Sequence, residues 1–181
     1  VAIAKKYKAK IILSDNPINF HINKQKAIDA CTSEWILQLD ADEMVSKDLR
    51  EEILQLENHK EINGYWIPRK NYFLGTFLTK GGQYPDWTLR LYRKGEGKLP
   101  CKSVHEQAVV SGQTAYLKNA LLHFSYMDFS EYIEHFNRYT SLFAAEFAEE
   151  KIPIGWYSFF LFIWFKPSYW FLLTYIRHKG F

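Results

Sequence analysis

Cysteine is scarce in this chain: Cys31 and Cys101 are its 2 cysteines among 181 residues, far apart and in no Cys-x-x-Cys pattern. That excludes a disulfide framework and a zinc ribbon, and Cys31, set among helix-like residues, reads as a small packed hydrophobe. A dominant charge is also missing. The 23 Lys and Arg are scattered and nearly balanced by 20 Asp and Glu, for a net charge of +3, so no nucleic-acid partner is expected. Nor is there an unbroken apolar run of bilayer length. The stretch at 154–165 is cut by Lys166-Pro167 before a second piece at 169–176, whereas one span takes about 20 apolar residues. The chain opens on Val1 with neither an initiator Met nor a signal peptide. Its first residues read as the tail of a helix feeding a strand, so at least one upstream strand is expected to be missing.

What is present is a packed domain's worth of apolar residues, 48% of the chain. Its most telling segment is Trp35-Ile36-Leu37-Gln38-Leu39-Asp40-Ala41-Asp42-Glu43. A mostly apolar strand here stops on two carboxylates spaced i, i+2, which an extended backbone turns to one face. Two hard oxygen ligands suit Mg²⁺ or Mn²⁺ together with substrate phosphates. Helix capping does not account for the pair, because the following helix has its own start in Ser46 and Asp48, with Leu49, Ile53 and Leu56 on one side. An EF-hand is excluded by Met44 and Val45, which stand where that loop needs an oxygen ligand and a glycine.

Around this motif the apolar run 9–13 reads as a strand closed by Ser14-Asp15-Asn16-Pro17, and 22–32 as a helix carrying Lys24 and Gln25 near its start. The βαβα alternation predicts a mostly parallel sheet. From Gly64 the texture becomes aromatic and Gly-rich, with short strands and loops and an alternating strand at 88–93 that puts Arg90 and Arg93 on one face. Residues 130–150 predict a helix capped by Ser130, whose Tyr132, Ile133, Phe136, Tyr139, Phe143 and Phe147 form a core or interface stripe. The tail is expected as two short helices. Its Trp and Tyr and its basic Arg177-His178-Lys179 end suit a membrane surface. Two regions result, 1–150 as the α/β domain and 151–181 as the membrane-associating segment.

Taken in order, the 34–43 motif, Gly64-Tyr65-Trp66-Ile67-Pro68-Arg69, Gly81-Gly82-Gln83-Tyr84-Pro85-Asp86, Arg90-Leu91-Tyr92-Arg93 and Val104-His105-Glu106 resemble inverting family-2 glycosyltransferases. The likeness is to the bacterial subgroup similar to lipopolysaccharide core biosynthesis enzymes and covers about residues 10–145. It implies a GT-A fold, an α/β mixed sheet flanked by helices, truncated at its N-terminus. It also implies sugar transfer from a nucleotide-diphosphate sugar to a glycan or lipid-linked acceptor at the cytoplasmic face of a bacterial inner membrane. Asp42 would be the direct metal ligand, with Asp40 shared between metal and donor, and His105 a further metal or phosphate contact. Arg90, Lys24 and Gln25 would contact the donor, although Gln25 stands where many relatives have Asn. The acceptor hydroxyl needs a base, for which Glu106 is the first candidate and Asp86 its rival. Without its first strand the chain as given is expected to be inactive. Two other readings use the same residues: a metal-dependent nucleotidyl or phosphoryl transferase, and a non-catalytic carbohydrate-binding or membrane-scaffold protein.

Overall fold

The structure, a computed structural model, describes residues 1–15, 17, 19–56, 60–101, 106–149 and 155–181. In chain order α1 (Ala2–Lys6) and α2 (His21–Asp29) precede β1 (Trp35–Leu37), and β2 (Glu43–Val45) leads into α3 (Lys47–Leu54). Then come β3 (Ile62–Phe73), β4 (Thr76–Phe77), β5 (Asp86–Arg93), β6 (Gly97–Lys98), β7 (Val109–Val110), β8 (Gln113–Tyr116) and β9 (Leu121–Tyr126). Two helices follow, α4 (Phe129–Glu149) and α5 (Trp156–Arg177). Contacts divide the chain into two compact units, with β3 running from one into the other.

The first unit comprises Val1–Ala41, Lys47–Ile67 and Trp87–Ala120. Asn19 Oδ1 accepts from His21 N at 3.0 Å, an Asx turn that starts α2. This helix packs Ile28 into a buried cluster with Ile36, Leu89, Tyr92, Leu99 and Ala108, and Cys31 lies against it as a small hydrophobe. β1 runs antiparallel to β5, with Ile36 opposite Tyr92, and β5 hydrogen-bonds β3. Tyr92 is fully buried. A Cβ on Gly97 would lie 2.2 Å from the Tyr92 ring, so the close approach of β6 requires glycine there. Glu52 of α3 anchors the loop after β8, accepting from Lys118 N at 2.9 Å and Asn119 N at 2.9 Å.

The second unit comprises Asp42–Ser46, Pro68–Asp86 and Leu121–Phe181. Here β9 pairs in parallel with the end of β3, Asn71 opposite His123, and antiparallel with β2, Glu43 opposite His123. The backbone extends that ladder, Phe124 N donating to Asp42 O at 2.9 Å. β3 folds back onto β4 through Leu74 and Gly75, both at positive φ of 45° and 96°, the hand a two-residue hairpin demands. Asp128 Oδ1 accepts from Glu131 N at 2.9 Å while Glu131 Oε2 accepts from Met127 N at 3.1 Å. This reciprocal capping box starts α4 at Asp128 and corrects the expected cap at Ser130.

The α/β class and the mixed sheet agree with expectation, but three details differ. The run at 9–13 is not a strand; Leu13 is 81% exposed, and among the described residues no strand pairs with it. The mostly parallel sheet that the βαβα alternation alone predicts is not found: β1, β2 and β4 meet their partners antiparallel, while β8 and β9 run parallel to β3. The tail is one continuous helix of 22 residues instead of two pieces, and none of its apolar window is buried. A π segment, Leu161–Phe165, precedes Pro167. The helical run Trp156–Arg177 continues through this π segment and Pro167. The α4 stripe is likewise open, Phe136 being 51% and Phe147 47% exposed.

Candidate active site

The Asp-x-Asp motif leaves the strand earlier than its apolar pattern suggests. β1 ends at Leu37, Gln38 N adds one more ladder bond to Arg90 O at 2.8 Å, and Ala41-Asp42 form a turn before β2. The two carboxylates therefore do not share one face of an extended strand. Each belongs to its own unit.

In the first unit Asp40 is gripped from two sides. Lys24, on the first turn of α2, forms an ion pair with Oδ1, and Arg90 of β5 donates from Nη2 to Oδ2 at 2.7 Å. Burial pushes the Asp40 carboxyl up, but the Lys24 hydrogen bond and the positive charges of Arg90 and Lys24 outweigh it and hold the group below the usual carboxylate range. Beneath this pair Tyr92 OH donates to Gln38 Oε1 at 3.0 Å, and burial of its ring raises the phenol to about 12. Lys24, Arg90 and Asp40, sequence candidates all, are thus brought together. Gln25 is used differently: its Oε1 accepts from Leu99 N at 2.7 Å and its Nε2 donates to Asp29 Oδ1 at 2.7 Å, so both ends of the amide hold the fold. Arg93 is structural as well, pairing with Glu34 and lying 4.6 Å from the Trp35 ring. Glu106 sits half-buried in this unit, and its charge adds to the burial that pushes the Cys101 thiol up. His105 lies outside the described residues.

In the second unit Asp42 meets a residue the sequence reading did not single out as functional. His123 Nε2 lies 3.3 Å from Asp42 Oδ2, while its Nδ1 faces Asn71 Oδ1 at 2.7 Å and Ser125 Oγ at 2.9 Å. Asn71 in turn donates from Nδ2 to Asp86 Oδ2 at 3.1 Å. The ring thus bridges Asn71 and Ser125 on one side and Asp42 on the other, and an imidazole beside a carboxylate suits Mn²⁺ or Mg²⁺ when diphosphate oxygens complete the shell. Among the described residues no three His, Cys, Asp or Glu side chains gather to hold a metal ion.

Asp86 is fixed more firmly still. Arg69 donates to its Oδ2 from Nε at 2.9 Å and from Nη2 at 2.7 Å, and reaches Glu43, whose side chain is fully buried, at 3.4 Å. The Arg69 and Asn71 bonds to Asp86 all fall on Oδ2. Beside this chain of contacts lies a cavity of about 370 Å³, polar on the side of Arg69, Asn71, His123 and Ser125 and aromatic on the side of Tyr72, Tyr126 and Tyr132. Polar groups opposite rings suit a sugar. A lone His and Ser at alternate positions of the otherwise apolar β9 were the one signal in the sequence for this half of the site.

Residues 1–121 match the family model described as Glycosyl transferase family 2. Over 158 residues the chain is 32% identical to the lipopolysaccharide core biosynthesis glycosyltransferase LpsC of Rhizobium meliloti (strain 1021), a match that covers 86% of this chain and 57% of the relative. The chain thus spans little more than half the length of that relative.

Proposed function

Since the chain belongs to glycosyl transferase family 2, we propose that it serves to move a sugar from a nucleotide-diphosphate donor to a glycan or lipid-linked acceptor of the bacterial cell envelope, with inversion. The observation that carries this reading is the chain of polar contacts Asp42, His123, Asn71, Asp86, which ties a candidate metal-binding pair to a candidate base.

Asp42 and His123 would hold the divalent ion, which when bound neutralises charge on the departing nucleoside diphosphate. Asp86 is the base in this scheme. Its Oδ1 accepts the proton of the acceptor hydroxyl as the oxygen attacks the anomeric carbon, while Arg69 and Asn71 hold the other oxygen and so aim the first. In the first unit Lys24 and Arg90, both paired with Asp40, are the candidates for contact with donor phosphate. Glu106 remains the alternative base.

Membrane association is part of the proposal. The α5 helix is long and apolar enough to cross a bilayer, and its rings are exposed. Lys166 at its middle would cost about 2.5–3.5 kcal/mol at the bilayer centre, which favours a helix lying in the headgroup region at the cytoplasmic face, where nucleotide sugars are available.

The test is a screen of the full-length protein against nucleotide sugars with and without Mn²⁺, read by product mass. Sugar transfer that needs the metal and disappears in Asp42→Ala supports the reading. Metal-independent donor binding, or donor cleavage to a nucleotidyl or phosphoryl product without transfer, overturns it.

A further inference from the structure

The C-terminal end of α5 is fastened to the loop that leads into Asp86. After Arg177 the chain turns back on the last helical turn, His178 N donating to Leu173 O at 3.1 Å and Gly180 N to Thr174 O at 3.2 Å. The His178 carbonyl then accepts from Gly81 N at 2.8 Å, and Lys80 Nζ donates to Phe181 O at 3.0 Å. The fit is close, since a Cβ on Gly82 would stand 3.3 Å from His178 Cγ and one on Gly81 3.4 Å from Thr174 Cγ2. The loop so held, Lys80 to Gln83, runs straight into Tyr84-Pro85-Asp86.

Charge gathers at the same joint. Between 156 and 176 the only charged side chain is Lys166, yet Arg177, His178 and Lys179 follow at once, and Lys80 lies across from them. Residues 77–83 and 173–181 contain no Asp or Glu. Trp170, Phe171 and Tyr175, all about half-exposed, lie on the helix just before the basic end. Aromatic rings beside a basic collar match the two layers of an anionic membrane surface, rings at the acyl boundary and cations at the phosphates.

We propose that this joint, formed by Lys80, Arg177, His178 and Lys179, is a docking site for anionic phospholipid headgroups, and that docking there sets the pose of the loop carrying Asp86. The inference rests on the interfacial reading of α5 and on Asp86 as the base. It adds a reason for the joint. A backbone hydrogen bond from Gly81 to His178 ties the loop to the helix end, so that a headgroup held at the joint bears on the loop's pose.

The test is binding of the full chain to phosphatidylglycerol or phosphatidylcholine vesicles, with amide hydrogen exchange followed across 78–86. Phosphatidylglycerol is expected to bind more tightly than phosphatidylcholine and to slow exchange at Gly81 and Gly82. Arg177→Gln with Lys179→Gln leaves the Gly81 and Lys80 bonds in place and is expected to weaken binding about 30-fold, two charges each contributing about 1 kcal/mol. Equal binding to both vesicles, no loss in the double variant, or equal protection by inorganic phosphate alone overturns the proposal. Transfer in detergent separates the two readings. Retained transfer without lipid-dependent protection sinks the docking site and leaves the transferase standing, whereas protection that persists in Asp86→Asn supports docking whatever becomes of transfer.

Discussion

His123 Nε2 stands 3.3 Å from Asp42 Oδ2 with its other ring nitrogen turned to Asn71. This imidazole and carboxylate are the proposed ligands of the divalent ion. Removing His123 should therefore loosen metal before it loosens the fold: in His123→Ala, Mn²⁺ affinity measured by electron paramagnetic resonance is expected to fall at least 100-fold. Asn71→Ala, which frees the ring without removing a ligand, is expected to fall by about 10–100-fold. Unchanged Mn²⁺ affinity in both variants would show that Asp42 binds the ion without them.

Asp86 and Glu106 are distinguished by kinetics. As the general base, Asp86 is expected to lose about 10²–10⁴-fold in kcat when changed to Asn, with donor affinity unaltered. Glu106→Gln, by the same argument, should change kcat less than about tenfold. The opposite pattern in single-turnover rates would return the role to Glu106.

The ion pairs of Asp40 make stability depend on pH in a definite direction. Its carboxyl is held low in the folded protein, so the stabilisation is complete above the unfolded value of about 3.9 and fades as pH falls through the lower folded value. Thermal melting from neutral to strongly acidic pH should show wild type above Asp40→Asn near neutrality and the two curves converging in acid. A constant gap across the range would mean that the carboxylate charge is not what Lys24 and Arg90 stabilise.

Gly97→Ala tests the core. Its new methyl would meet the buried Tyr92 ring, which itself holds Gln38 through its hydroxyl. Overpacking of this kind costs about 1–3 kcal/mol, read as a lower urea midpoint. A midpoint equal to wild type would show that β6 shifts freely.

Much of the first unit was legible from local pattern. The apolar run before Asp40, the helix carrying Lys24 and the alternation around Arg90 each declare themselves within a dozen residues. The second unit was not, because its site depends on register between distant segments. His123 acquires meaning only when β9 lies between β2 and β3, and Asn71 only when it falls opposite His123. Local reading also erred where geometry overrides pattern. The Asp-x-Asp carboxylates look like a strand pair but sit at a turn, and Lys166-Pro167 reads as a break but lies within one helical run.

β3 has one more consequence. Arg69 and Asn71 serve Asp86 because they are two apart on one face of a strand whose alignment with β9 places Asn71 against His123. A slip of one residue would present Lys70 and Tyr72 instead. The chemistry is thus encoded as much in counting as in residue identity. A single inserted or deleted residue between Pro68 and Asn71 would put a different set of side chains before the acid.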